Sequence, residues 1–356
     1  MSALSAVRQR RSARTVRLGF LGLGWIGRKR LDAIARTLEV DVAALLDCDE
    51  RKLRDAALAY PDAQTARDID ELLACDLDGV VIATPNAAHA DQAIACLSRG
   101  LPVFCQKPLG VSAREADAVI TAAQRAGRLL SVDFCYRHVQ GVHALRRRIG
   151  AGELGDILAL ELSFHNAYGP DKAWAYDRRL AGGGALLDLG IHLLDLALWL
   201  QPQASFEVVS SRLFADGGSR RIRENAVEHM ALAELRQDNG AVVRIACSWH
   251  AHAGRDAVIG LELFGSRGGA AWRNVEGSFY DFTLDVFKGR CAERVASPPD
   301  DWGSRALERF VLRLRDDHSF DPEALLISRG AHLIEQIYQR SVAEFRASSI
   351  ACSETQ

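Results

Sequence analysis

Three side chains suited to moving a proton stand on apolar ground in the middle of the chain. In Ala181-Gly-Gly-Gly-Ala-Leu-Leu-Asp188-Leu-Gly-Ile-His192-Leu-Leu-Asp195 the acids and the imidazole fall at i, i+4 and i+7, one face of a helix that the three glycines precede. Burying two carboxylates and an imidazole is costly unless they are paired or employed. A metal could use Asp188 and His192, but no third ligand stands nearby and no metal is expected. A structural cap with a buried pair is the plain reading. Acid-base catalysis is the sharper one, since an imidazole with a pKa near neutrality and a carboxylate to orient a hydroxyl are suitable parts. Lys107 follows a short apolar run, Pro102 to Cys105, in Gln106-Lys107-Pro108, and is one of only five lysines in the chain. At a strand's carboxyl end its ammonium would stabilise the charge that grows on a hydroxyl oxygen as hydride leaves the adjoining carbon. The plainer reading is a surface lysine. Pro108 is expected to follow a cis bond.

What could accept that hydride is written at the other end of the domain. Val16 to Ala35, VRLGFLGLGWIGRKRLDAIA, is an apolar run that stops at Gly22 and continues with helical periodicity, with Gly22, Gly24 and Gly27 spaced G-x-G-x-x-G. A strand feeding a tight turn and a helix N-terminus aims backbone N–H groups and the helix dipole at one spot, where a pyrophosphate fits. Gly22 would allow the turn, Gly24 the approach of phosphate and Gly27 close helix packing, with Trp25 and Ile26 between them among the expected contacts. A second apolar run, Val40 to Leu46, ends at Asp47, twenty positions after Gly27, where a carboxylate would accept ribose hydroxyls. The plain alternative is a glycine turn in another parallel-sheet domain, with Asp47 as a helix cap. Asp49 and Glu50 beside Asp47 would repel a 2′-phosphate, which favours NAD over NADP, although Arg51 and Lys52 could turn toward one.

Strand and helix patterns alternate from Val16 to Phe134, and the strand Gly79 to Ala83 ends in Thr84-Pro85-Asn86, which is expected beside the cofactor. Ser112 and Glu115 read as a capping box before the helix 112–126. From Ile157 onward strands alternate with local turns, over Ile157–Phe164, Glu207–Leu213, Glu228–Leu235, Val242–Trp249, Val258–Phe264 and Tyr280–Phe287, with a hairpin signal at Asp238-Asn239-Gly240. The fold class expected is α/β: an N-terminal Rossmann doubly wound parallel sheet and a C-terminal α+β domain with an open, mostly antiparallel mixed sheet. The boundaries expected are a disordered arm over 1–15, a dinucleotide-binding domain over 16–135, a substrate and oligomerisation domain over 136–346 whose C-terminal helix could return to the first domain, and a tail over 347–356. The helices expected last are Ser304 to Leu314 and Pro322 to Arg346.

Composition agrees with a globular chain of two domains: 48% hydrophobic, 25% charged and a formal charge of -2, with no basic excess to suggest nucleic acid or an anionic membrane as partner. Eight cysteines with no C-x-x-C pair fit a reducing cytoplasm. The most apolar window, Ala185 to Leu200, is short for a bilayer and holds three ionisable groups, so a buried helix is expected. Arg8, Arg10, Arg11, Arg14 and Arg17 without an intervening acid would suit a transit peptide, though a disordered arm explains them more simply.

The glycine motif, Asp47, Thr84-Pro85-Asn86 with His89, Lys107-Pro108 and G-G-G-x-x-x-D-x-G-x-H at Gly182 to His192 together resemble the glucose-fructose oxidoreductase and inositol dehydrogenase family, from about Val16 to Leu200. The resemblance implies NAD- or NADP-dependent oxidation or reduction of sugars, cyclitols or related alcohols, with Lys107, Asp188 and His192 as the catalytic group. It also implies cofactor contacts from His89, Gln106 and Lys107, and a homodimer or homotetramer, for which the C-terminal sheet is the expected surface. Two departures stand out: Gln106 where the family usually has glutamate, and Ala175 after Trp174 where many members have arginine. The loop His165 to Arg178 is expected to cover the substrate, with Tyr168, Trp174 and Tyr176 for a ring's apolar face and His165, Asn166, Asp171 and Lys172 for hydroxyls, and Tyr136 as a further wall. In the expected mechanism His192 takes the hydroxyl proton, Asp188 orients the hydroxyl and the imidazole, and Lys107 stabilises the alkoxide. The rival readings are a reductase of conjugated or aromatic substrates resembling biliverdin reductase or dihydrodiol dehydrogenase, an NAD-dependent glycoside hydrolase, and a cofactor-sensing regulator.

Overall fold

The computed structural model describes residues 15–215 and 226–353 of the chain. The expected arm therefore lies almost wholly outside the described residues. Arg17 lies inside them, as the second residue of the first strand, paired with Asp41 at 2.6 Å.

Short, mostly apolar and buried runs, with the exposed pair Gln64–Thr65 added at one edge, form a parallel sheet, because helices cover both of its faces. They are β1 (Val16–Leu21), β2 (Val40–Leu46), β3 (Gln64–Thr65), β4 (Gly79–Ile82), β5 (Val103–Cys105) and β6 (Leu130–Val132). Between them run α1 (Trp25–Thr37), α2 (Glu50–Ala59), α3 (Ile69–Leu73), α4 (Asn86–Ser98) and α5 (Ala113–Ala126). The strands hydrogen-bond in the order β3-β2-β1-β4-β5-β6, all parallel. The order reverses between β1 and β4, so the carboxyl ends of these two strands open a crevice. The capping box is offset by one residue: the Ser112 hydroxyl accepts from Glu115 N at 3.2 Å, while Glu115 Oε2 accepts from Val111 N at 2.9 Å.

After α6 (Gln140–Gly150) the period changes from helix to strand. β7 (Ile157–Asn166) alternates, with Leu160, Leu162 and Phe164 buried and Leu158 outward. α7 (Arg178–Ala181), a π-helical turn over Leu186–Gly190 and α8 (Ile191–Leu200) follow. Next come β8 (Phe206–Phe214), β9 (Met230–Gln237), β10 (Val242–Ser248), β11 (Ala257–Gly265), β12 (Gly269–Asn274), β13 (Phe282–Lys288) and β14 (Cys291–Ala296), and the chain ends in α9 (Arg305–Asp316) and α10 (Leu325–Ser353). The order is β14-β13-β12-β11-β7-β10-β9-β8. β7 and β10 are parallel and the other neighbours antiparallel. Gly240 at φ +88° completes the hairpin between β9 and β10, and Asn239 Oδ1 accepts from Ala241 N at 2.9 Å.

Several expectations are corrected in detail. Strands β3, β12 and β14 add to those the sequence predicts, the strand expected from Glu228 begins at Met230, and the one expected from Tyr280 begins at Phe282. The last helix continues through Ser353 rather than giving way to a tail after Arg346. The helical run Arg178–Leu200 is, by length and composition, long enough to cross a membrane, but it is almost entirely buried inside the protein, as a core helix is. Both last helices reach the first domain: α10 packs on α5, where the Ser328 hydroxyl donates to Asp117 Oδ1 at 2.6 Å, and Leu307, Phe310 and Val311 of α9 join Val16, Leu18, Phe20 and Phe104 in one core. The rings of Phe104 and Phe310 lie 5.7 Å apart.

Candidate active site

The glycine turn has the geometry a pyrophosphate needs. Gly22 sits at φ +87° and donates its N–H to Leu46 O at 2.8 Å; a Cβ there would fall 2.5 Å from the Ala83 carbonyl. On Gly27 a Cβ would lie 2.0 Å from Gly22 O, so α1 can approach β1 only with glycine there. Gly24 has nothing within 4 Å of its absent side chain, and no side chain caps α1, which leaves its first N–H groups and the dipole free for an anion. Asp47 braces the turn, its Oδ2 accepting from Leu23 N at 2.6 Å and its Oδ1 from Asp49 N at 2.8 Å.

The turn is one end of a cavity of about 1120 Å³ that runs along the crevice and under the second domain. Gly22, Gly24, Trp25, Ile26, Asp47, Thr84, Pro85, Asn86, His89, Gln106, Lys107, Tyr136, Tyr168, Trp174, Asp188 and His192 all line it. Gly27 does not, being packed behind the turn, and neither does His165, whose Nδ1 lies 2.8 Å from the Ser248 hydroxyl. The neighbouring Asn166 lines the cavity in its place. Lining residues that the sequence reading passed over are Lys29, Arg30, Asp133, Trp249, Phe279, Tyr280 and Trp302. The three aromatics at 249, 280 and 302 carried a signal, being large rings at the end of a strand or in connecting segments, where binding residues concentrate.

Lys107 and Asp188 meet from opposite domains. Lys107 Nζ donates to Asp188 Oδ1 at 2.6 Å and to its carbonyl at 2.7 Å, while Trp249 Nε1 donates to Asp188 Oδ2 at 3.0 Å. The Lys107-Pro108 bond is cis, as expected. His192 stands in the same cavity, edge-on to Tyr136 with ring centroids 5.1 Å apart and edge-on to Phe134 at 6.1 Å. Its Nδ1 is buried with no hydrogen-bond partner, so exchange of a proton with a ligand falls to Nε2. Burial, reinforced by the Lys107 and Arg30 charges, pushes this imidazole well below the usual histidine range and keeps it neutral.

Two elements of the expected constellation are arranged differently. No hydrogen bond joins Asp188 to His192; the carboxylate is committed to Lys107 and Trp249. Asp195, on the same helix, turns away from the cavity and pairs with buried Arg137, whose Nε donates to it at 2.8 Å and whose Nη1 reaches Glu323 at 2.9 Å. The π-helical turn over Leu186–Gly190 lies between the glycines and α8, so Asp188 and His192 do not keep the simple helical phase that the spacing suggests.

The supporting shell is polar and buried. His89, 1% exposed, places Nδ1 2.7 Å from Pro108 O and Nε2 2.7 Å from Thr84 O, bridging the turn after β4 to the Lys107-Pro108 corner. A neutral ring donates to only one of these carbonyls at a time. Burial pushes its pKa down against the pull of the two carbonyls, and Lys107 adds to the lowering. Beneath the lysine, Gln106 Nε2 donates to Asp133 Oδ2, which also receives Arg30 Nε at 2.6 Å. Among the described residues no cluster of three His, Cys, Asp or Glu stands close enough to hold a metal, and none of the seven described cysteines forms a disulfide.

Comparison with known proteins agrees with this geometry. Residues 16–134 match the family model described as "Oxidoreductase family, NAD-binding Rossmann fold", and residues 142–271 match "GFO/IDH/MocA C-terminal domain". A putative UDP-kanosamine synthase oxidoreductase subunit of Amycolatopsis mediterranei is 36% identical over 274 residues, 73% of this chain and 75% of that one. An inositol 2-dehydrogenase of Burkholderia multivorans is 32% identical over 190 residues, 52% of this chain and 54% of that one. Levoglucosan dehydrogenase, solved in complex with NADH and L-sorbose, superposes with a TM-score of 0.80 at 22% identity, covering 93% of this chain and 97% of that one, and so shares the fold.

Proposed function

From the premise that the chain belongs to the GFO/IDH/MocA family of NAD-binding oxidoreductases, we propose that it transfers hydride between a nicotinamide dinucleotide and a hydroxyl or keto group of a neutral sugar, cyclitol or related polyol. The observation that carries this reading is the convergence of Lys107, Asp188 and His192, drawn from two domains, on one cavity that begins at the glycine turn. A hydroxyl held between an ammonium and a neutral imidazole is set up to lose its proton. The open Gly24, the uncapped start of α1 and Asp47 would hold the dinucleotide, which when bound accepts or supplies the hydride.

The protein's own groups then divide the work. His192 Nε2 accepts the hydroxyl proton, which its burial-lowered basicity permits because the ring is neutral at physiological pH. Lys107 donates to the oxygen as negative charge builds on it. Asp188 holds the lysine through Oδ1 rather than orienting the imidazole. Tyr136, Tyr168, Trp174 and Trp249 offer flat apolar faces for a carbohydrate ring.

A neutral substrate is favoured over a phosphorylated one because Lys172, a cation beside these rings, is paired with Asp171 at 2.7 Å. NAD is favoured over NADP because at the ribose end Lys52 is already paired with Asp49 at 3.2 Å and Arg67 with Glu71, so both cations are engaged, while Asp47, which accepts from Leu23 N and Asp49 N, would repel a 2′-phosphate. Homo-oligomers through the second sheet, a cytoplasmic setting, and the absence of nucleic-acid or membrane partners complete the reading.

The test is to assay purified protein against inositols, aldoses and sugar acids with NAD and NADP in parallel. Reduction of the dinucleotide by at least one neutral polyol is expected, with NAD the more efficient cofactor. Lys107→Met and His192→Ala should each lower turnover by roughly a hundredfold or more while dinucleotide affinity changes little. Near-normal turnover in both variants would overturn the mechanism.

A further inference from the structure

Glu228 is wholly buried and does not line the cavity, yet it controls the start of the helix that carries Asp188 and His192. Its carbonyl accepts Ala185 N at 2.9 Å, and its Oε1 accepts Gly184 N at 3.0 Å and Leu186 N at 2.9 Å. Three successive N–H groups that a helix start leaves without intrahelical partners thus end on one residue of another segment, the lead-in to β9. The Tyr338 hydroxyl of α10 donates to the same Oε1 at 2.9 Å. Glu228 Oε2 is buried without a partner, so the carboxyl serves nothing else among the described residues.

The glycines fit this arrangement closely. A Cβ on Gly184 would lie 1.9 Å from Glu228 O, and one on Gly183 would lie 2.0 Å from the Tyr338 hydroxyl oxygen. These two positions are clearance for the clamp more than hinges. From Gly184 the register passes directly to the chemistry, because Asp188 N donates to Gly184 O at 2.9 Å and Asp188 in turn receives Lys107 and Trp249.

We infer that Glu228, backed by Tyr338, is the positioning residue of the catalytic helix, fixing the height at which Asp188 meets Lys107 and at which His192 enters the cavity. The inference rests on the function proposed above for its effect on turnover, but not for its effect on the helix. The experiment therefore reads both: amide hydrogen exchange at Gly184, Ala185 and Leu186, and steady-state kinetics, in the full chain.

In Glu228→Ala the Gly184 and Leu186 amides, which lose their side-chain acceptor, should exchange roughly a hundredfold faster than in the wild type, with a smaller change at Ala185, whose acceptor is the main-chain carbonyl, and kcat should fall roughly thirtyfold or more while KM and dinucleotide affinity stay within about threefold. Glu228→Gln, which keeps an acceptor oxygen, should recover most of kcat. Tyr338→Phe, which removes one donor, should lower kcat roughly three- to tenfold. Unprotected amides in the wild type, a folded Glu228→Ala with wild-type kcat, or an equal loss of kcat and dinucleotide affinity would overturn the inference. Should Glu228→Ala not fold, Tyr338→Phe with unaltered exchange and kcat would overturn it. A wild type that turns over no polyol but protects the three amides would defeat the functional reading and leave the clamp standing.

Discussion

Replacing Gln106 by glutamate tests the buried network under Lys107. Gln106 now donates its amide to Asp133 Oδ2, and Arg30 is the single cation bound to that carboxylate, its Nε 2.6 Å away. Gln106→Glu removes a donor and sets a second carboxylate against the first, both almost fully buried. At about 3.5 Å and an effective dielectric constant near 20, the repulsion is roughly 5 kcal/mol. The folded protein can escape part of it by binding a proton that the unfolded chain, with an ordinary glutamate near 4.3, does not bind above pH 5. With more protons bound in the native state, stability must fall as pH rises, by about 1.4 kcal/mol per unit while the proton is held. The expected loss relative to the wild type is therefore roughly 2 to 4 kcal/mol at pH 8, and under about 1 kcal/mol near pH 5. Urea unfolding at several pH values measures this directly. Adding Asp133→Asn restores an amide-to-carboxylate pair and should recover most of the loss. A single variant as stable as the wild type at pH 8, a loss that does not change with pH, or a double variant no better than the single would each refute the reasoning.

The pH dependence of turnover follows from His192. Because burial first, then Lys107 and Arg30, hold its pKa well below the usual histidine range, the acid limb of kcat/KM for polyol oxidation should lie clearly below pH 6.5, and a limb at 6.5 or above would contradict the assignment of this imidazole as base. Like the buried His192 and His89, His138 contributes to acid stability. Burial, aided by the charges of Arg309, His143, Arg137 and Arg305, pushes it down to about 3. Between about 6.5 and 3 the unfolded chain binds a proton there that the folded one does not, so stability falls as pH falls. The loss from this residue is about 2 kcal/mol by pH 5. His138→Gln should make the stability profile shallower over that range, and an unchanged slope would refute the contribution assigned to it.

How far the sequence could be read depended on whether the relevant signal was local. The glycine turn, the alternation of strand and helix, the Asp238-Asn239-Gly240 hairpin and the Lys107-Pro108 corner are each decided by neighbours in the chain, and each lies where the residues indicate. β12 escaped because Ala270, Ala271 and Trp272 are consecutively buried and break the period of two. β14 escaped for the opposite reason: Cys291 to Arg294, at the sheet's edge, are all exposed. The site shows the same division. Lys107, Asp188 and His192 could be chosen by type and spacing, whereas the partner of Asp195 is Arg137, 58 residues away, and the partner of Gln106 is Asp133, 27 residues away. Nothing in a single sequence couples such positions. Glu228 was read only as the start of a strand, since its three bonds to residues 184–186 belong to the fold and not to its own segment.

Because the lysine comes from one sheet and the imidazole from elements of the other domain, the chemistry depends on how firmly the two are joined. Several sets of contacts join them. α9, late in the chain, completes the core of the first sheet through Leu307, Phe310 and Val311. Asn86 Nδ2, at the start of α4, donates to Ala181 O at 2.9 Å, just ahead of the glycine triplet. Lys29, one turn into α1, donates to the Tyr280 hydroxyl at 2.8 Å across the cavity wall, and Trp302 Nε1 holds the Tyr280 carbonyl at 2.8 Å. Apolar burial supplies the strength of this joint and the polar contacts supply its register. A domain that swung freely would carry Asp188 away from Lys107 and leave an ammonium unpaired in a half-buried site. The 2.6 Å ion pair between the two residues is thus a consequence of the joint as well as a part of the machinery.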